Sequence, residues 1–359
     1  MGPFGTGIMN PMIPELRDEF GVSNDALGLG WALYLVPFAA LMLVSGTLSE
    51  RWGRRRTARW TFALYAGVTV VAALAPNVAV FFAARAVGGA LNAFFTPILL
   101  AALAESTPAA RLGEVVGVYA GFQSFGSLLA PLVGGLAADV NWRLAFLLVA
   151  AVSLTLSFFP PPGDPRPDAA GTPLRALLQR PIVLLGWAGF LAAAGPIGVS
   201  VVVGLSARDE LALSGSVAGL VLAAGPIGAV LAGRPWGKVL DRFGGRVAGV
   251  AAFAICSSLT ATLAGPTTAL VLGIGWAVVG FSTNFVVVSI QSLAASARED
   301  NRAGVISFVL AHRFLGHAVG ALIWLPTFAR NADAPYYGSA ALGALGLAAL
   351  LASGLGRRR

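Results

Sequence analysis

The segment from Gly46 to Arg59 reads GTLSERWGRRRTAR and places one acid and five arginines between two long apolar runs. The preceding run, 26–48, carries no charge and is long enough to cross a bilayer as a helix, which takes about 20 residues. Basic residues collect in the cytoplasmic loops of membrane proteins. The segment is therefore predicted to be a short loop that joins two membrane-spanning helices.

The composition of the whole chain agrees with a membrane protein. Of its 359 residues, 57% are hydrophobic and 11% are charged, and the mean hydropathy is +0.79. Alternating strand patterns are absent, so helices are expected to satisfy the backbone hydrogen bonds. The single cysteine, Cys256, lies in an apolar run and has no partner, which excludes a disulfide, cysteine-bound zinc or an iron–sulfur cluster within one chain. An all-α, multi-pass membrane protein is predicted.

Eleven full spans are predicted, bounded by charges and by Pro and Gly breakers. They cover 26–48, 59–75, 78–104, 113–138, 144–159, 181–207, 211–233, 247–264, 267–296, 303–327 and 334–356. The uncharged start of the chain ends at Pro14 and is too short to cross. It is either a short surface segment or the outer half of a truncated first helix. The second interpretation is favoured, because it makes the spans twelve.

The basic residues divide unequally between the two sides of the predicted membrane. Lys238 and most of the loop arginines are assigned to one side, which also holds the C-terminus. The other side holds only four basic residues, Arg17, Arg143, Arg208 and Arg330. The positive-inside rule makes the rich side cytoplasmic. The net charge of +8 is thus a topology signal with anionic lipid headgroups as its partner. Nucleic acid is not predicted as a partner.

The opening segment has a copy in the second half of the chain. Gly46, Glu50, Arg51, Gly53 and Arg55 match Gly237, Asp241, Arg242, Gly244 and Arg246 in type and spacing, and each copy follows the second span of its half. Two homologous six-helix halves are predicted, covering 1–159 and 181–359, joined by a cytoplasmic linker at 160–180. This plan is typical of secondary transporters, which bind substrate between their halves.

At these residues the chain resembles the major facilitator superfamily. Gly46 to Arg55 is similar to the family's loop Gly-x-Leu-Ala-Asp-Arg-x-Gly-Arg-Arg, with Glu50 in place of the aspartate. Arg85 with Gly89 resembles the fourth-helix motif, and the stretch 126–136 resembles the fifth-helix antiporter motif with Ala130 where glycine is usual. The resemblance implies two pseudo-symmetric six-helix bundles, alternating access, a proton gradient as energy source, no cofactor, and a monomer in the cell membrane.

Gating is predicted at the repeated loops, namely at Gly46, Glu50, Arg51, Gly53, Arg54, Gly237, Asp241, Arg242 and Gly244. Glu50 is expected to pair with Arg51, Arg54 or an arginine on a neighbouring helix, and such a pair stabilises one of two conformations if it is partly buried. Arg54, Arg55, Arg56 and Arg59 are expected to lie in solvent and to set topology. The alternative is that the acids, too, are solvated topology markers.

Two arginines lie within predicted spans, where an ionisable side chain is a functional candidate. Arg85 and Arg313 are therefore predicted to take part in a proton or charge relay, although a snorkelling Arg85 is the alternative. His312 and His317 are five residues apart and do not share a helix face, so no metal site is predicted.

The remaining site predictions concern helix shape and polar contacts. Gly126, Pro131, Gly134 and Gly135 predict a bent, tightly packed helix, which by resemblance is the antiporter motif. Uncharged polar candidates for a substrate cavity, each equally able to join helices, are Asn10, Asn92, Gln123 and Asn284.

The predicted function is transport of a small molecule, with proton-coupled efflux favoured. An importer of a sugar, organic acid or anion is the first alternative, and a non-transporting receptor or scaffold is the second. Enzyme chemistry is disfavoured, because no span carries paired acids, an HExxH pattern, or a serine and histidine in a recognisable arrangement.

Overall fold

The protein is all-α in the computed structural model, which describes residues 5, 7–108, 111–165, 177–265, 268–298 and 302–356. A 3-10 turn at Asn10–Met12 precedes the first helix. The helices are α1 Ile13–Phe20, α2 Asn24–Trp52, α3 Arg54–Ala73, α4 Val78–Asn92, α5 Phe95–Ser106, α6 Leu112–Val140, α7 Arg143–Phe158, α8 Arg180–Ala194, α9 Ser200–Leu205 followed by a π turn at Ser206–Glu210, α10 Gly215–Ala261, α11 Ala269–Ala297, α12 Arg302–Arg330 and α13 Ala334–Ser353.

Eight helical segments in the described part of the chain are long and apolar enough to cross a membrane, and α7 and α8 are shorter apolar helices. Large apolar side chains on their outer faces are exposed, among them Phe158, Leu220 and Leu231. In water these side chains would cost free energy, whereas in lipid they lie in their preferred surroundings. The predicted multi-pass integral membrane protein is confirmed.

Two predicted spans are interrupted. The span 78–104 consists of α4 and α5, separated at Ala93 and Phe94, and the span 181–207 breaks after Ala194, where Gly195 and Pro196 end α8. The indole Nε1 of Trp324 donates to the carbonyl oxygen of Ala194 at 2.5 Å. A side chain of α12 thus satisfies a backbone acceptor that the break exposes, as an interruption inside a bilayer requires.

Helical residues extend through most of the predicted connection at 234–246, and the two helices that make up α10 meet there at a kink. The kink lies at Gly244, whose φ of 77° and ψ of 159° are not helical. Gly53, the matching glycine of the first copy, separates α2 from α3 at φ 85° and ψ 120°. These angles favour glycine, so the repeated motif makes the same turn in both halves.

Pairs of helices cross at matching glycines in the two halves. A Cβ on Gly89 of α4 would overlap the carbonyl oxygen of Tyr34 in α2, and a Cβ on Gly280 of α11 would overlap that of Gly225 in α10. Such close approach is how small residues hold membrane helices together. The predicted fold class of two pseudo-symmetric bundles agrees with this packing. The boundaries 1–159 and 181–359 stay a prediction, and linker residues 166–176 lie outside the described part.

Candidate functional site

The two halves meet along helices α6 and α10 and along α2 and α12. On α6, a Cβ at Gly135 would overlap the carbonyl oxygen of Gly215. On α10, a Cβ at Gly219 would lie 2.5 Å from the carbonyl oxygen of Pro131. The backbones of the two halves are therefore in direct contact here, and no side chain larger than hydrogen fits between them.

Charged residues close the same end of the molecule. The guanidinium of Arg208 donates to Glu15, and Arg17 Nη1 lies 3.1 Å from Asp209 Oδ2. Asp139 accepts from the backbone N–H groups of Gly215 and Ser216 at 2.5 and 2.8 Å, so a carboxylate of α6 caps the start of α10, where the helix dipole favours an anion. We call Glu15, Arg17, Asp139, Arg208 and Asp209 the Arg208 seam.

Acid groups at this end have shifted pKa values. Burial is the largest cause that raises the pKa of Glu15, and Arg208 opposes it. A hydrogen bond from Arg143 lowers the pKa of Glu19. Ionisation is therefore less favourable for Glu15 than for Glu19, because Glu15 is partly buried whereas Glu19 lies in solvent.

The halves separate with distance from the Arg208 seam. Gly121 precedes Gly135 by about four helical turns on one face of α6, and Gly233 follows Gly219 by the same interval on α10. Gly135 and Gly219 are buried, whereas Gly121 and Gly233 are exposed, and a Cβ on either exposed glycine would meet no atom within 4 Å. A cleft thus opens between α6 and α10 toward the end that carries Arg54.

At that end Arg54 is buried, with 1% of its surface exposed. Its Nε lies 3.1 Å from Oε1 of Glu50, and its Nη2 pairs with Glu105 of α5. The expectation that Arg54 lies in solvent was wrong: the turn at Gly53 directs it between two helices, where two carboxylates compensate for its desolvation. Arg55, Arg56 and Arg59 are exposed as predicted. We call Glu50, Arg54 and Glu105 the Arg54 cluster.

The other residues of the two repeated motifs differ in their exposure. Gly46 is half-buried and Arg51 is exposed. In the second copy, Arg242 and Gly244 are exposed, and the Arg242 guanidinium carbon lies 5.2 Å from the centre of the Phe243 ring. The surroundings of Gly237 and the side chain of Asp241 are not described by the structure, so an ion pair at Asp241 stays a prediction.

Arg85 is buried inside the first half, with 5% of its surface exposed. Its Nη1 donates to the carbonyl oxygen of Gly5 at 3.1 Å, and its guanidinium carbon lies 4.0 Å from the centre of the Tyr34 ring. The Tyr34 hydroxyl also contacts that of Tyr65 at 3.2 Å and accepts from Asn92 at 2.7 Å. Arg85 therefore does not snorkel but belongs to a buried polar cluster that lines a small cavity.

Arg313 lies in the second half and lines a separate small cavity. The structure does not bring it together with Arg85 in one cavity. Of the neighbouring histidines, His312 places Nδ1 2.8 Å from the carbonyl oxygen of Phe308, one turn earlier in α12. That histidine is engaged within its own helix.

The polar candidates for a substrate cavity take different positions. Asn92 donates to Tyr34, and Asn284 donates to the carbonyl oxygen of Ala229 at 2.9 Å, so both connect neighbouring helices. Asn10 is buried beside the broken region near Gly204, and Gln123 is half-buried on α6. Of the antiporter-motif residues, Pro131, Gly134 and Gly135 are buried in contacts between helices, whereas a Cβ on Gly126 would meet nothing within 4 Å.

Several residues of these sites escape sequence reasoning. Tyr34 and Tyr65 look like ordinary apolar-span residues, and Asp139 and Arg208 look like loop charges. The one available signal was Ser214, a favoured N-cap residue, which marks the start of α10 that Asp139 caps.

A family model described as Major Facilitator Superfamily matches residues 1–321. With these matched residues covering most of the chain, the resemblance to that class of membrane protein is established. The chain belongs to the Major Facilitator Superfamily.

Two relatives and two solved structures illustrate its place in the family. The chain is 28% identical over 228 residues to the drug efflux pump JefA of Mycobacterium tuberculosis, and the match covers 61% of this chain and 42% of JefA. It is 27% identical over 165 residues to the MFS antiporter QDR3 of Candida albicans, and that match covers 45% of this chain and 24% of QDR3. The chain thus spans less than half the length of these curated relatives. It superposes on the human organic anion transporter MFSD10 with a TM-score of 0.71 and 18% sequence identity, over 97% of this chain and 96% of MFSD10. It superposes on the nucleoside transporter NupG with a TM-score of 0.74 and 13% sequence identity, over 98% of this chain and 97% of NupG. These two structures share its fold.

Proposed function

We propose that this protein moves a small molecule across the cell membrane by alternating access and exports it in exchange for protons. The observation that carries the proposal is the cleft between α6 and α10, closed by direct backbone contact at Gly135 and Gly219 and open four turns away. Packed glycines and breakable ion pairs at one end suit a seam that opens and closes, because neither buries a large apolar surface.

The direction of transport is inferred from charge and from relatives. The Arg54 end carries most of the basic residues, which makes it the cytoplasmic end together with the C-terminus. The cleft then faces the cytoplasm, where an exporter loads its substrate. The named function of JefA, a drug efflux pump, supports export.

Proton coupling is assigned to the buried polar cluster that Arg85 forms with Tyr34, Tyr65 and Asn92. A buried cation beside two hydroxyls changes its interactions when a proton or a charged substrate approaches, because electrostatic interactions are strong where water is excluded. No cofactor is proposed. Anionic headgroups are proposed to contact the exposed arginines of the Arg54 end.

The test is transport by purified protein in liposomes with an acidic lumen. The probes are the fluorescent cation ethidium and the anion naphthalene-2-sulfonate, and a pH dye reports the lumen. A proton-coupled exchanger accumulates a probe while the lumen loses protons, and an ionophore that dissipates the gradient abolishes accumulation. Arg85→Ala is expected to lose the proton release.

Two outcomes would replace the proposal. Accumulation that does not depend on the gradient would favour a uniporter or importer of the same fold. Binding of a probe by the purified protein without any movement into liposomes would favour a receptor.

A further inference from the structure

Arg85 lines a small cavity in the first half together with Tyr34 and Tyr65. Only 5% of its surface is exposed, and a buried arginine carries a large desolvation cost unless a counter-charge offsets it. In the described part of the chain, the only other ionisable groups that act on it are the two tyrosines. Residues 1–14, of which Gly5 contacts Arg85, contain no acid. The described residues therefore supply no counter-charge for this arginine.

Much of the hydrogen-bonding capacity of Arg85 is also unused. Its Nη1 donates to the carbonyl oxygen of Gly5 at 3.1 Å. Its Nε and Nη2 are buried and have no hydrogen-bond partner among the described residues. These two nitrogens lie on one edge of the planar guanidinium, so their N–H groups point in the same direction. An acceptor placed at that edge receives two charge-assisted hydrogen bonds at once.

The tyrosine pair adds a further donor. The Tyr34 hydroxyl accepts from Nδ2 of Asn92 at 2.7 Å and lies 3.2 Å from the Tyr65 hydroxyl. Whichever tyrosine donates to the other, their mutual hydrogen bond uses only one of the two hydroxyl hydrogens. The second hydroxyl hydrogen is left over at the wall of the cavity, which both tyrosines line. Donors from a cation and from a hydroxyl thus face one space.

The size of the cavity limits its occupant. It has room for about one particle the size of a water molecule, so an organic acid with an apolar body does not fit. A water molecule fits but is uncharged, and it leaves the arginine without a counter-charge. A monatomic anion such as chloride is only slightly larger than water, accepts hydrogen bonds from any direction and neutralises the guanidinium.

We propose that this cavity binds one chloride ion, held by Nε and Nη2 of Arg85 and by a hydroxyl of the tyrosine pair. Such charge-assisted hydrogen bonds are strong, and they are stronger still where water is excluded. The ion is a resident counter-charge and not the transported molecule. The inference therefore goes beyond the proposed function and concerns binding alone.

The experiment measures equilibrium binding of radiolabelled chloride to the full-length protein in lipid nanodiscs, in sodium gluconate of constant ionic strength. The parent is expected to bind chloride saturably, one ion per chain. Unlabelled bromide should displace it, whereas gluconate is too large to compete. Arg85→Met is expected to lose at least tenfold in affinity. Arg330→Met, which removes an exposed arginine at the end of α12, is the matched control and should bind as the parent does.

A second variant guards against misfolding of Arg85→Met. Gly88 lines the same cavity, and a Cβ there would lie 3.6 Å from its nearest neighbour, a ring carbon of Tyr34. Gly88→Ala therefore fits the fold and keeps every donor, but it takes up part of the space, and its affinity for chloride is expected to fall at least fivefold.

Three results would overturn the proposal: no saturable binding by the parent, equal binding by the parent and Arg85→Met, or undiminished binding by Gly88→Ala. Because binding is measured without transport, failure of the liposome assay leaves a chloride site standing. Transport by a protein that binds no chloride removes only this inference.

Discussion

Arg17 of α1 and Asp209 of the π turn before α10 form an ion pair, with Nη1 and Oδ2 3.1 Å apart. The pair joins segments 192 residues apart in the chain, one in each predicted half. With the neighbouring pair of Glu15 and Arg208, it encloses the end at which α6 and α10 touch. Movement of the halves must break both pairs, so the Arg208 seam is where opening can be measured.

Arg208→Gln is expected to favour the open seam. The substitution leaves Glu15 partly buried without its cation, which costs the closed form about 1–3 kcal/mol and raises the open population about 5- to 150-fold. The measurement is the rate at which an impermeant maleimide labels Ala138→Cys in a Cys256→Ala background. Arg143→Gln is the control, because Arg143 pairs with Glu19, and both lie in the first predicted half. Equal labelling in the Arg208→Gln and Arg143→Gln proteins would refute this role of Arg208.

Gly135→Ala is expected to keep the seam from closing. The added Cβ would overlap the carbonyl oxygen of Gly215, and neither backbone can move without separating the helices. Gly126→Ala on the same helix meets nothing within 4 Å and gains the same helix propensity, so it isolates the steric effect. Labelling at Ala138→Cys should rise at least tenfold in Gly135→Ala and stay within twofold of the parent in Gly126→Ala. A similar rise in both variants would contradict the packing argument.

Hydropathy and loop charge were enough to predict where most of the helical spans lie. The spans depend on how each side chain is solvated by lipid and on which side of the membrane each charge lies, and both can be read from the sequence one residue at a time. The break at Ala93 and the helical residues within 234–246 were not predictable in this way, whereas Gly195 and Pro196 are local breakers that mark the break after Ala194. The partner of the Ala194 carbonyl, Trp324, comes from another helix, and the local sequence does not reveal it.

Arg54→Gln is expected to lower stability. The substitution removes the cation that Glu50 and Glu105 share. Because the Glu105 side chain is 52% exposed, the free energy of unfolding is expected to fall by about 2 kcal/mol, which is less than for a fully buried pair. Arg55→Gln, one residue on and exposed, should change the thermal unfolding midpoint by less than one degree or so. A midpoint for Arg54→Gln as high as that of Arg55→Gln would mean that the Arg54 cluster contributes nothing to stability.

Seam opening is expected to rise with pH. Burial raises the pKa of Glu15 in the closed seam above its ordinary value, against the opposing charge of Arg208 and with smaller raising effects from Asp139 and Asp18. The closed seam thus holds its proton more tightly than an opened, solvated Glu15. Protonation of Glu15 therefore stabilises the closed seam fully at pH values below the ordinary pKa of a glutamate. This stabilisation is lost as the pH rises through the raised pKa that Glu15 has in the closed seam.

The measurement is the labelling rate at Ala138→Cys across pH 4 to 8, taken as a ratio to the same cysteine in Glu15→Gln, which cancels the reactivity of the thiol itself. The ratio should increase with pH over the range in which Glu15 titrates. A ratio that is flat, or that falls, would show that Glu15 does not control closure through its proton.

The site was less predictable than the fold, and Arg54 shows why. Five arginines in one short segment look alike in the sequence, yet Arg54 directly follows the positive φ of Gly53 and pairs with Glu105 of another helix. Arg85 and Arg313 were identifiable, because an ionisable residue in an apolar run stands out. Their different surroundings, a tyrosine pair for one and an apolar wall for the other, follow from tertiary packing.

The most direct test of alternating access is to lock the Arg208 seam. Arg17 and Asp209 meet across it with Nη1 and Oδ2 3.1 Å apart, so cysteines at both positions in a Cys256→Ala background can be joined by a short bis-methanethiosulfonate cross-linker, whose disulfides a reductant cleaves. Transport in liposomes of whichever probe the parent moves is then compared before cross-linking, after cross-linking and after reduction. Cross-linking is expected to stop transport and reduction to restore it, whereas transport at an unchanged rate by the cross-linked protein would contradict alternating access at this seam.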